Sequence, residues 1–84
     1  MAKFLRLDGS ASPHARQLAT NVHERRVALQ MSQAELSERT GIAASHLSHI
    51  ERARANPTLA TLDRLAAEFR CTVPDLLTCE RSLR

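Results

Sequence analysis

Ser45, Ser48, His49 and Arg52 fall on one side of a short stretch with helical spacing. At about 100° per residue they point away from Leu47 and Ile50. Ala43, just ahead of the stretch, lies on that apolar side. Two hydroxyls, an imidazole and a guanidinium can hydrogen-bond to base edges and phosphates. The polar side is narrow and mostly short-chained, whereas a helix that meets only water more often carries Lys and Glu. Small residues let a helix approach a surface closely, and the major groove of duplex DNA is wide enough to admit one.

The elements that would hold these side chains are legible around them. Ser32 stands just before a helical pattern and Glu35 follows three residues later, which predicts a capping box and a helix over 33–40. Gly41 ends that helix, because glycine takes the left-handed conformation without steric cost. Ile42 and Ala43 make a brief turn, and a second helix is expected over 44–53. Two short helices joined by a Gly-containing turn of about three residues form a helix-turn-helix pattern.

At this point the sequence resembles a family. Residues 16–78 are similar to the lambda-repressor-like helix-turn-helix domains, in the XRE/Cro group of bacterial and phage regulators. The matching segments are MSQAEL at 31–36, Gly41, LSHIER at 47–52, NPTLATLDRLA at 56–66 and TVPDLL at 72–77. The resemblance implies an all-α fold of five helices, major-groove DNA binding by the third, and a homodimer. It implies base-facing positions at Ala44, Ser45, Ser48 and His49. Ala44 can touch a thymine methyl but makes no side-chain hydrogen bond, so readout leans on Ser45, His49 and Ser48. Gln33 begins helix 2, where an amide and free backbone N–H groups can hold a phosphate. It could also be a plain first-turn residue. Arg52 and Arg54 flank the loop to helix 4 and suit phosphate pairing, although Arg52 could pair with an acidic neighbour instead. Glu51 reads as structural.

Composition sets the outer limits. The 84 residues carry a formal charge of +3, enough for one small domain with a modest core and compatible with a polyanionic partner. All but one of the twelve cations are Arg. Arg suits bidentate contacts, and a GC-rich genome gives the same bias. With two Phe as the whole aromatic complement, base stacking of the single-strand-binding kind is not expected. Cys71 and Cys79 form no CxxC pair and read as thiols of a reduced, cytoplasmic protein. No stretch approaches a membrane span or a signal peptide.

Taken from its start, the chain divides into an arm over 1–11 and one domain over 12–84. The arm carries Lys3 and Arg6, which could touch DNA, and Phe4 and Leu7, which could pack on the domain. Ser12-Pro13 is a helix start, and Ala15, Leu18, Ala19, Val22 and Leu29 mark the buried stripe of a helix over 13–30. Arg25 interrupts that stripe where the family has Leu, and Gln30 stands where it has Gly. Asn56-Pro57-Thr58 separates helix 3 from helix 4. Leu59, Leu62, Leu65, Ala66 and Phe69 give helix 4 one apolar face over 59–69, and Arg70 follows at another place suited to Gly. Thr72 and Asp75 form a second capping box for a fifth helix over 73–78.

Rival chemistries have little support. His46 and His49, three apart, could start a metal site, but no third ligand stands at suitable spacing. No glycine-rich phosphate loop, nucleophile elbow or acidic cluster points to an enzyme, and no cofactor is expected. Two classes remain: a sequence-specific DNA-binding regulator, including the restriction–modification controller type suggested by IER-x-R-x-NPT, and an antitoxin-like module that binds a protein such as a toxin. Leu76, Leu77 and Leu83 exceed what a short fifth helix needs for one core, and are the expected dimer seam.

Overall fold

The computed structural model describes residues 12–79. The expected arm over 1–11 and the seam residue Leu83 lie outside them. Five α-helices follow in order: α1 (Pro13–Ala28), α2 (Gln33–Thr40), α3 (Ala44–Glu51), α4 (Leu59–Phe69) and α5 (Val73–Leu77), with no strand among the described residues. The all-α, five-helix expectation holds.

Local chemistry explains most of the boundaries. The Ser12 hydroxyl accepts from Ala15 N–H at the start of α1. Ser32 and Glu35 complete the expected capping box, at 3.0 Å from Glu35 N to Ser32 Oγ and 2.8 Å from Ser32 N to Glu35 Oε1. Thr58 caps α4, and Thr72 with Asp75 forms the second box. The carboxyl of Asp75 is held below its ordinary range, chiefly by the Thr72 backbone N–H and then by its hydroxyl.

Helices α1, α3 and α5 end earlier than the periodicity suggests, for a backbone reason. After α1, Gln30 adopts φ 58. Its N–H reaches Val27 O and Met31 N–H reaches Arg26 O, a Schellman closure. Ala53 closes α3 in the same way with φ 59, through Ala53 N to Ile50 O and Arg54 N to His49 O. Arg70 does so after α4 with φ 55. Thr78, with extended backbone, stops α5.

The core joins all five helices: Leu18 and Val22 of α1, Leu36 of α2, Leu47 and Ile50 of α3, Leu62, Leu65, Ala66 and Phe69 of α4, Leu76 of α5, and Ile42 from the turn. Helix α1 lies on α3 and α5, α2 on α3 and α4, and α4 also on α5. Three apolar expectations fail. Ala43, expected on the apolar side with Leu47 and Ile50, is exposed, and so are Leu29 and Leu59. Leu29 falls in the closure after α1, where the chain has left the helical stripe, and Leu59 sits on the first, outermost turn of α4. Leu76 is corrected too: it is fully buried within its own chain, so it is not available to a dimer seam.

Asn21 is a buried polar residue that apolar periodicity does not reveal. Its Nδ2 donates toward Asp75 O, Leu76 O at 2.7 Å and Thr78 O at 2.9 Å. One amide thus serves carbonyls that five-residue α5 cannot satisfy by itself, and it ties α5 to α1.

Candidate nucleic-acid interface

The α2–turn–α3 unit is held from within. Gly41 takes φ 78 and its N–H reaches Ser37 O at 2.8 Å. Thr40 Oγ1 donates to Leu36 O and accepts from Ile42 N–H, and Ile42 is buried. The turn is therefore anchored on both sides of the glycine. Leu47 and Ile50 are exposed by no more than 1% and fix the inner side of α3.

The outer side of α3 is left open. Ala44, Ser45, His49 and Arg52 are exposed and Ser48 is half-buried. Arg54 is exposed in the loop beyond. No ion pair forms at Arg52 or Arg54 among the described residues, so the acidic-neighbour alternative for Arg52 has no partner there. Ser45, Ser48, His49 and Arg52 thus fall on the side of the helix away from Leu47 and Ile50, with Ala44 exposed at its start, and Arg54 follows in the loop.

A further feature of this surface was missed from the residue types. Helices α1, α2, α4 and α5 each have a Ser or Thr side chain capping the first turn, whereas α3 has Ala43 at the cap position and no side-chain cap. Backbone N–H groups of its first turn are left to an outside acceptor. The signal was present in the sequence: Ile42-Ala43-Ala44 contains no capping residue.

Gln33 differs from the other candidates. It is half-buried, and its Nε2 donates to Glu51 Oε1 at 3.2 Å. Glu51 also receives Arg26 Nε at 2.7 Å and Arg26 Nη2 at 3.0 Å, and lies 3.1 Å from His23 Nδ1. The side chains of Glu51 and Arg26 are 6% and 14% exposed. Burial pushes the Glu51 carboxyl up, but hydrogen bonds from Arg26, His23 and Gln33 outweigh it, and the carboxyl ends below its ordinary value. Glu51 is structural, as expected from its place at the buried edge of α3.

Among the described residues no three His, Cys, Asp or Glu side chains gather as a metal site, and no helix is long and apolar enough to cross a membrane.

Comparison with known proteins agrees with this geometry. A helix-turn-helix family, HTH_3, matches residues 22–76. Control protein C.SmaI of Serratia marcescens is 39% identical over 61 residues, which span 73% of this chain and 73% of that protein. A hypothetical transcription factor, NHTF from Neisseria, superposes with a TM-score of 0.76 at 29% identity, over 82% of this chain and 79% of that one. The restriction-modification controller protein C.AhdI from Aeromonas hydrophila superposes with a TM-score of 0.69 at 24% identity, over 74% of this chain and 94% of that one. At that identity the likeness concerns the fold.

Proposed function

Because the chain belongs to the HTH_3 helix-turn-helix family of DNA-binding transcription regulators, which bind DNA and catalyse no reaction, we propose that it is a small control protein reading a palindromic operator as a homodimer. Helix α3 enters the major groove, Ser45, Ser48 and His49 meet base edges, and Ala44 meets a thymine methyl. Gln33, Arg52 and Arg54 hold phosphates. The observation that carries this is the exposed, uncapped and unpaired outer side of α3 on a rigid inner side. The resemblance to a control protein favours the controller role over an antitoxin-like one. Its place of work is the cytoplasm, with the DNA.

One helix-turn-helix reads only a few base pairs, and a two-fold pair mirrors a palindrome with recognition helices about 34 Å apart. Apolar surface left over from the core supports a seam near the end of α5. Leu77 is half-buried and lines a groove with Ala15, Leu18, Ala55, Pro57 and Leu62, while nearby in sequence Leu59 stays 73% exposed. Leu83 remains a candidate for the same seam. Sedimentation at micromolar concentration should show a dimer that Leu77→Lys weakens. A chain monomeric on and off its DNA would refute the seam.

Salt dependence tests the DNA reading. If the dimer neutralises about six to ten phosphates, affinity falls roughly 10³–10⁵-fold between 50 and 200 mM salt. A flat response would favour the protein-interaction role.

A further inference from the structure

At Glu51, three helices meet on one acceptor. Arg26 and His23 come from α1, Gln33 from the first residue of α2, and Glu51 itself is the last residue of recognition helix α3. Arg26 also donates through Nη1 to Met31 O at 2.7 Å, so the same guanidinium holds the link between α1 and α2. Each donor fixes a different relation. The paired Arg26 contacts set α3 against α1, the Met31 contact sets the entry to α2, and the Gln33 contact sets the outer edge of α2 against the end of α3.

Gln33 has one Nε2 hydrogen on Glu51 and a second hydrogen with no partner among the described residues. A freely rotating Gln would have to be ordered when DNA binds, at an entropic cost. A Gln already anchored through one hydrogen carries less of that cost. We propose that Glu51 is a positioning residue for DNA binding: it pre-orients the Gln33 amide toward the phosphate backbone and fixes the angle at which α2 and α3 meet the duplex. The proposal rests on the reading of Gln33 as a phosphate contact.

Electrostatics makes it testable. A carboxylate next to a DNA surface opposes a polyanion, so neutralising it should, by charge alone, tighten binding. Positioning gives the opposite sign. Glu51→Gln keeps the size of the side chain and removes its charge. With melting followed separately and binding measured well below the transition, it should bind an operator selected by the wild type from random duplex DNA about tenfold more weakly. Gln33→Met should weaken binding to a similar degree, again measured well below its own melting transition because the variant also loses one hydrogen bond to Glu51. The double variant should be little weaker than either single variant, because anchor and anchored group act as one unit.

Unchanged or tighter binding by folded Glu51→Gln, or fully additive losses in the double variant, would overturn the proposal. Wild-type affinity in Gln33→Met would instead remove the phosphate contact on which it rests. Should Glu51→Gln fail to fold, Glu51→Asp keeps a charge for Arg26 but shortens the reach to Gln33, and the same comparisons and signs apply.

Discussion

The two sides of α3 have opposite arrangements. Inward, Leu47 and Ile50 are sealed in the core and Glu51 is met by donors from α1 and α2. Outward, Ser45, His49 and Arg52 are exposed, and the first turn has no side-chain cap. A helix stabilised on both sides would hold its shape and have nothing to offer a ligand. One open on both sides would not be held in place, since eight residues are too few for a helix to persist alone in water. The difference separates residues that decide whether α3 is formed and aimed from residues that decide what it contacts.

The largest expected effect comes from breaking the inner side. Arg26→Ala removes both strong donors from a carboxylate that is 6% exposed. Leaving such a charge without its partner should cost about 3–5 kcal/mol of stability, read from denaturant unfolding. Ser45→Ala on the outer side should stay within about 0.5 kcal/mol of wild type. Similar losses in the two variants would erase the distinction.

Acid sharpens the same contrast. The Glu51 carboxyl is held below its ordinary value near 4.5. A folded pKa below the unfolded one means that the stabilisation is complete above the unfolded value and is lost as pH falls through the folded one. Unfolding midpoints should therefore drop as pH is lowered from about 6 to about 3, and Glu51→Gln should lack its share of that drop. Asp75 contributes in the same direction, so part of the drop remains in the variant. Equal acid sensitivity in both proteins would show that Glu51 carries no such linkage.

How much of this could be read in the sequence depends on what carried each feature. The caps at Ser12, Ser32, Thr58 and Thr72 were legible because they use short-range chemistry with fixed spacing. Gly41 was legible because its residue type announces a left-handed turn. The closures at Gln30, Ala53 and Arg70 use the same backbone conformation with residues that do not announce it. Gln30 and Arg70 stand out only by their departure from a family pattern and Ala53 gives no sign, so α1 and α3 stop short of the expected 30 and 53, whereas α4 ends at Phe69 as expected. Leu29 and Leu59 fitted apolar periodicity but lay at helix ends where the core does not reach. The Glu51 cluster joins residues as far as 28 positions apart, and Asn21 reaches Thr78 at 57. No local pattern encodes such pairings. The outer face of α3 was legible because it is contiguous and polar within eight residues.

The most direct test of base readout by α3 is a matched affinity measurement on the selected operator and a scrambled duplex, for wild type, His49→Ala and Arg52→Ala. His49→Ala should lose about 1–3 kcal/mol on the operator, keep its affinity for the scrambled duplex, and relax the preference at one base pair. Arg52→Ala should weaken both duplexes alike and flatten the salt dependence. If both variants lose affinity uniformly on both duplexes, α3 does not read bases through His49.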